Sequence, residues 1–421
     1  LAMRPVRFLG KTKICTNRMD FILSVLPKKR LGESGGIGMK LLHVADLHLG
    51  KVVHGYSLIE EQRHILAQIL TTVKERHIDA LLVAGDVYDR SVASEDAVAL
   101  LDDFLVRLAA LSTTVFIISG NHDSGDRLNF GRRFFCHQNI HIAGTYEPTL
   151  GKVTLTDAAG PVHFYLLPYV TKAAMRHAWP EEEMDSYDAA IRAAIGHAGV
   201  DFTVRSVILA HQFVAHGAVR PEVGGSEVMA ASVGTIEAIG SEVFDGFDYV
   251  ALGHIHRPQW IGRETVCYAG SPLKYSLREA KDKKSMVLVT LGEKGAPVAT
   301  ERIFFQPRHD LRHVTGTLAE LRQRAKGEGG AAEDYMYVTL TDETPVLDAM
   351  ELVKQFYPNA MKVEFIHRRI REIGAAEGSA AEEKSFHDWV TAFYAQEGGG
   401  VPSDEEWAVL LAAAREAGVT E

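Results

Sequence analysis

Cysteine is scarce in this chain: its 421 residues hold only Cys15, Cys136 and Cys267, with no CxxC spacing. That excludes a disulfide framework and a thiolate zinc site, and it suits a reducing, cytoplasmic setting. No stretch approaches the roughly 18 consecutive apolar residues of a membrane helix, so no membrane association is expected. No GxxxxGK[ST] phosphate loop occurs, so any ATP chemistry of that type would belong to a partner. No internal repeat is visible. Positive charge is short as well. A formal charge of −10 argues against indiscriminate nucleic-acid binding. The shortage is uneven, because residues 1–38 hold eight Lys/Arg against two acids, leaving about −16 for the remainder. Arg257–Lys284 is the other exception, with seven basic residues (Arg257, Arg263, Lys274, Arg278, Lys281, Lys283, Lys284) against three acids. Such a strip suits either a phosphate backbone or a solvated face.

What the chain does have is a recurring pattern of apolar runs that stop at metal-capable residues. Leu41–Ala45 runs into Asp46 and His48, and Ala80–Ala84 runs through Gly85 into Asp86. Val115–Ile118 leads to Asn121 and His122, Val207–Ala210 to His211, and Tyr249–Leu252 to Gly253, His254 and His256. Short apolar runs with a polar stop read as buried parallel strands, whose carboxyl ends gather α/β sites. Seven candidate ligands (Asp46, His48, Asp86, Asn121, His211, His254, His256) offer oxygen and imidazole donors without thiolate. That set suits two hard or first-row divalent ions and implies metal-assisted hydrolysis of a phosphate ester. The other histidines, among them His54, His64, His77, His137 and His141, read as non-ligands.

Between these strands, helical spacing marks Ser57–Ile78, Ser94–Leu111 and Asp185–His197, giving a βαβαβ run and a parallel sheet covered by helices. Val162–Leu167 reads as a further strand, and Met286–Leu291 and Arg302–Phe305 as strands at the edge of a second sheet. Residues 1–38 read as a disordered extension or a start placed too early, with Met39 where a compact domain would begin. Residues 39–307 carry the metal-capable motifs. Residues 308–371 alternate strand and helix as a small α+β unit, and the Ala/Gly/Glu-rich stretch 372–384 reads as a linker. Residues 385–421 predict a helical pair, with a Ser403/Glu406 capping box and two apolar stripes. Phe386, Trp389, Val390, Phe393 and Tyr394 form one stripe; Trp407, Leu410, Leu411 and Ala414 form the other. A hairpin packing on itself and a partner surface both explain them.

DLH at Asp46–His48, GDVYD at Gly85–Asp89, GNHD at Gly120–Asp123 and GHIH at Gly253–His256, in this order, resemble the calcineurin-like metallophosphoesterase superfamily from Met39 to about Phe305. The resemblance implies an α/β fold of layered sheets flanked by helices. It also implies that Asp46, His48, Asp86 and His256 hold one ion, and that Asp86, Asn121, His211 and His254 hold the other. His122 would protonate the leaving oxygen, and Asp89 would orient His122. Asp123 is a candidate supporting residue, and Arg90, Arg257 and Lys274 are candidate phosphate contacts. MKLLHVADLHLG (Met39–Gly50), GDVYDR (Gly85–Arg90) and YAGSPLKYSLREAKDKKS (Tyr268–Ser285) are similar to the SbcD family of nuclease subunits. That similarity implies a capping domain at 308–371 and partner docking by 385–421. It implies manganese as activator, with magnesium as the alternative. It further implies single-strand endonuclease activity without ATP, and double-strand exonuclease activity driven by an SbcC-type coiled-coil ATPase, in DNA repair, recombination and replication. The nuclease subunit would be a homodimer within a heterotetramer. Two alternatives stand beside this: a small-molecule phosphodiesterase or phosphoprotein phosphatase on the same core, suggested by GDxxDR, and a metal-free scaffold.

Overall fold

A computed structural model describes residues 38–224, 238–344 and 346–366, together with positions 390–391, 402–403, 406–407 and 409–411. Two six-stranded mixed sheets stack face to face. The first contains β1 (Met39–Val44), β2 (Ala80–Ala84), β3 (Thr114–Ile118), β4 (Ile140–Ala143), β11 (Ser285–Leu291) and β12 (Ala299–Phe304), in the order β12-β11-β1-β2-β3-β4. The second contains β5 (Gly151–Asp157), β6 (Gly160–Leu167), β7 (Arg205–His211), β8 (Tyr249–Gly253), β9 (Gln259–Ile261) and β10 (Arg263–Tyr268), in the order β9-β10-β8-β7-β6-β5. Strands β1 to β4 run parallel in the first sheet, as do β6, β7, β8 and β10 in the second.

Alternate residues explain the layering. Leu41 of β1, Ala80 and Leu82 of β2 and Phe116 of β3 face a shared apolar layer with Phe164, Val207, Leu209 and Ala251 of the second sheet. Phe116 and Phe164 stack across it with centroids 4.5 Å apart. The other face of the first sheet (Leu42, Val44, Leu81, Val83) is covered by α1 (Ile59–Arg76) and α2 (Glu95–Ala109), which bury Ile65, Ile69, Leu100 and Phe104. The second sheet is covered by α3 (Tyr187–His197) through Ile191 and Ala194. Each central strand is therefore buried on both faces, which is why these runs are unbroken apolar sequence.

The layered sheets that the resemblance implies are thus present, and only the assignment of Met286–Leu291 and Arg302–Phe305 to a second sheet is corrected, since both belong to the sheet of β1. Ser285–Leu291 pairs antiparallel with β1, from Met39–Leu291 to His43–Val287. Strands β4, β5, β9 and β10 were not read from sequence. They lie at or near sheet edges, where β5, for example, is only half-buried.

A three-stranded sheet of β13 (Leu311–Gly316), β14 (Tyr335–Leu340) and β15 (Ala360–Phe365) follows, with α4 (Leu318–Glu328) closed at its start by a Thr317/Glu320 capping box. The Tyr56 hydroxyl donates to the Ala360 carbonyl at 3.1 Å, His309 meets Glu61 at 2.8 Å, and Leu311, Tyr337 and Met361 join the apolar cluster beneath α1. Two units are distinguished, Leu1–Thr339 with Leu347–Glu364, and Leu340–Val346 with Phe365–Glu421. In the second, the Ser403 amide donates to the Glu406 carboxylate at 2.8 Å and the Glu406 amide to the Ser403 hydroxyl at 3.3 Å, forming the expected capping box. Val390, Trp407, Leu410 and Leu411 are partly buried. Residues 1–37, the linker 372–384 and the stripe residues Phe386, Trp389, Phe393, Tyr394 and Ala414 lie outside the described residues.

Candidate metal centre

All seven candidate ligands follow strand ends along one rim. Asp46, His48, Asp86, His211 and His256 are buried, His254 is half-buried and Asn121 is exposed. Four of the seven sit in left-handed backbone, with φ of 53° at Asp46, 43° at His48, 47° at Asp86 and 98° at His254. Such conformations cost energy in non-glycine residues and cluster at sites where side-chain aim matters. The adjoining glycines permit the close approach. A Cβ on Gly253 would lie 1.9 Å from the Ala84 carbonyl oxygen, and one on Gly85 would lie 2.2 Å from His211 Nδ1.

Asp86 is central. Its Oδ2 lies 3.5 Å from His48 Nε2 and 3.4 Å from His211 Nε2, while Oδ1 accepts the His122 amide at 2.9 Å. On one side, His48 Nε2 and His256 Nε2 are 3.1 Å apart, and Asp46 joins them as a potential metal-holding group. On the other, Asn121 Oδ1 lies 3.1 Å from His211 Nε2 and 2.9 Å from His254 Nδ1. Asp46 Oδ1 accepts the His254 amide at 2.9 Å.

Three observations bear on whether cations fit. Asp46 Oδ2 is buried without a hydrogen-bond partner among the described residues, an arrangement that is costly unless something positive meets it. His211 donates Nδ1–H to the Ala84 carbonyl at 2.8 Å, since a carbonyl can only accept, so its neutral form has the Nε2 lone pair facing the centre. The protein part alone is also short of positive charge. Burial pushes the Asp46 carboxyl up to about 6. Burial opposes a charged His211, yet Asp86 and Asp46 raise it to about 9. The donor set fits two divalent cations.

Residues 39–258, just over half the chain, match the calcineurin-like phosphoesterase family. The chain belongs to that family. Residues 307–398 match a second family, described as the Type 5 capsule protein repressor C-terminal domain and designated SbcD_C. A calcineurin-like phosphoesterase domain followed by an SbcD_C domain is consistent with the SbcD family. Among solved structures, a dimetal phosphatase from Danio rerio is similar at 13% identity, covering 63% of this chain and 99% of that one, with a TM-score of 0.36. GAP50, the anchor in the inner membrane complex of Plasmodium, is similar at 11% identity, covering 79% and 99%, with a TM-score of 0.34. Likeness this distant fixes neither reaction nor ligands. This calcineurin-like phosphoesterase therefore has a metal-binding His/Asp cluster, and its ligand roles have to be argued from its own geometry.

The surroundings of the cluster depart from the sequence reading in several places. Asp89 was expected to orient His122 through its carboxylate. Instead the Asp89 backbone carbonyl accepts from His122 Nδ1 at 2.9 Å. Its carboxylate faces Lys51 Nζ at 2.8 Å and His48 Nδ1 at 3.4 Å, with Arg90 Nε at 3.7 Å. Burial opposes the Asp89 charge, but His48 and Lys51 hold its carboxyl down at about 2. Asp123 accepts the amides of Val87, Tyr88 and Gly120 at 3.0, 2.9 and 2.9 Å, clamping the two ligand loops together. Arg90 is exposed beside Asp89.

The basic strip is largely spent inside the protein. Lys274 donates to Asp310 at 2.8 Å and to the carbonyls of Ala280 and Leu311 at 2.9 and 3.3 Å, which uses its three protons. Arg257 is paired with Glu222 and Asp282, at 2.6 and 3.0 Å. Neither is presented as an uncommitted phosphate contact. Arg278, Lys281 and Lys283 are the exposed members of the strip.

Several residues that support the ligands have no such role in the sequence reading. Gln62 on α1 is buried and donates to the His48 carbonyl at 2.7 Å, while accepting the Gly50 amide at 2.9 Å. The Tyr275 hydroxyl donates to the Leu47 carbonyl at 2.7 Å, and its ring lies edge-on to both His48 and His256. Glu279 and Lys284 form a buried pair at 2.6 Å behind His256. A helix-face glutamine and a paired carboxylate carry no local signal, although GSPLKYSLREAKDKKS was conspicuous as a motif.

Proposed function

We propose that this chain is the nuclease subunit of an SbcCD-like complex and hydrolyses DNA phosphodiesters with two divalent ions, manganese by preference and magnesium as the alternative. The observation that carries the dimetal part is Asp86 Oδ2, which faces an imidazole of each ligand group at 3.5 and 3.4 Å. Asp46, His48, Asp86 and His256 would hold one ion, and Asp86, Asn121, His211 and His254 the other. When bound, the ions supply an activated water and neutralise charge on the phosphate. The chain's own contribution is positional. Because the Asp89 carbonyl can only accept, His122 keeps a proton on Nδ1 there; as the imidazolium it would present Nε2–H to the leaving oxygen and, having given up that proton, would remain as the neutral Nδ1–H tautomer. Arg90, Arg278, Lys281 and Lys283 are the exposed cations suited to tracking a DNA backbone.

The SbcD_C match supports DNA as substrate and an SbcC-type coiled-coil ATPase as partner, with residues 308–371 as a capping region and 385–421 as the docking tail. A homodimer within a heterotetramer and a cytoplasmic location belong to the same reading. Among the described residues, no helix is long and apolar enough to cross a membrane. One comparison tests the substrate assignment: a DNA hairpin, a chromogenic phosphodiester and a phosphopeptide, each supplied with manganese. Efficient cutting of the hairpin is expected. Preference for the phosphopeptide would make the chain a phosphoprotein phosphatase, and absence of bound metal by mass spectrometry would make it a scaffold.

A further inference from the structure

The segment Ser271–Lys284 wraps the outer side of His256, and its buried residues, unlike the exposed Arg278, Lys281 and Lys283, have no role in the function proposed so far. Glu279 is fully buried there. Its Oε1 lies 3.6 Å from His256 Nδ1 and accepts from Ser276 Oγ at 3.0 Å. Its Oε2 accepts from Lys284 Nζ at 2.6 Å, Ser271 Oγ at 3.3 Å and the Tyr275 amide at 3.4 Å. Lys284 Nζ also donates to the His256 carbonyl at 2.9 Å and to Ser271 Oγ at 3.0 Å. One ammonium thus fixes both the backbone of a ligand and the carboxylate behind its ring. His48, the neighbouring imidazole, is backed in the same way by Asp89, itself held by Lys51.

The other ligand group is built differently. His211 Nδ1 is backed by the neutral Ala84 carbonyl. Asn121 and His254 contact each other, and Asn121 is exposed while His254 is half-buried. A carboxylate behind an imidazole fixes the ring and raises its basicity more than a carbonyl does, and loss of such a partner typically costs 10–100-fold in metal affinity.

We infer that the two metal subsites are unequal, the one formed by Asp46, His48, Asp86 and His256 binding its ion more tightly because Glu279–Lys284 and Asp89–Lys51 position its two imidazoles. Glu279 and Asp89 are then positioning residues, and the GSPLKYSLREAKDKKS segment is a brace for His256. The inference rests on the dimetal reading of the centre, and the experiment separates the two.

Manganese is titrated into the metal-stripped full chain, and free aquo-manganese is followed by electron paramagnetic resonance. The wild type should bind two ions in two steps, the first at least tenfold tighter. Glu279→Gln should weaken the first step by roughly 10–100-fold and leave the second unchanged. The charge-balanced Glu279→Gln/Lys284→Met variant should do the same, without stranding a buried ammonium. Asp89→Asn should also weaken the first step, whereas His254→Ala should abolish the second and keep the first. Equal affinities in the wild type, a first step untouched by either Glu279 variant, or a parallel fall in both steps would overturn the inference while leaving two-ion binding intact. A wild-type chain that binds no manganese would overturn the dimetal reading itself. Should the Glu279 variants fail to fold, the wild-type, Asp89→Asn and His254→Ala titrations decide.

Discussion

Asp86 and Asp89, three residues apart, do different work because the backbone between them turns. The left-handed φ of 47° at Asp86 aims its carboxylate into the rim, where one oxygen faces both ligand groups. Asp86→Ala should therefore lose both ions and all hydrolysis; retention of two metals per chain, measured by mass spectrometry, would end the bridging assignment. Asp89 turns its carbonyl to His122 and its carboxylate to His48 and Lys51. His122→Ala should keep both ions and lose about 10²–10⁴ in turnover, the usual worth of a positioned acid. Asp89→Asn keeps the carbonyl, so its turnover at saturating manganese should fall far less than that of His122→Ala. A metal requirement shifted to higher concentration is its expected signature. If saturating metal failed to restore most of its turnover, the carboxylate would have a direct role in the reaction.

At the scale of elements, the centre depends on how closely β2, β7 and β8 approach at their carboxyl ends. Gly253 closes β8 with its α-carbon against the Ala84 carbonyl, and there is no room for a methyl group. Gly253→Ala must push β8 from β2. It should cost on the order of 1–3 kcal/mol from overpacking, seen as a lower thermal midpoint, and should weaken metal binding beyond what that loss explains. An unchanged manganese titration would show that the rim tolerates a shift of β8. The cross-sheet stack of Phe116 on Phe164 sets the spacing of the two sheets beneath the rim. Phe164→Ala should cost about 3–5 kcal/mol as a core truncation, measurable by denaturant unfolding.

For the whole molecule, every candidate ligand lies between Asp46 and His256, and the SbcD_C match begins at residue 307. Truncation after Lys384 should accordingly spare manganese-dependent cutting of single-stranded DNA and abolish stimulation by ATP and the SbcC-type partner. Trp389→Asp or Trp407→Asp in the full chain should reproduce part of that loss. Unchanged partner capture by the truncated chain would place docking elsewhere and leave the apolar stripes as ordinary hairpin packing.

The sequence by itself determined the strands that carry the ligands, because burial on both faces writes an unbroken apolar run and the site begins where that run stops. It also determined α1 and α2, through 3.6-residue spacing, and the chemical type of the donors. It did not determine which of these strands belongs to which of the layered sheets. A doubly buried strand reads the same in either sheet, and the partner of β1 lies far along the chain at Ser285–Leu291. Nor did it determine what the basic residues do. Lys274, Arg257 and Lys284 look alike as letters, and only the fold shows Asp310, Glu222, Asp282 and Glu279 already neutralising them. Which atom of Asp89 meets His122 was likewise decided by local backbone direction, which the sequence does not encode residue by residue. Ligand type and strand ends are local properties of the chain, whereas charge pairing and ring support arise only when segments as much as 248 residues apart are brought into contact.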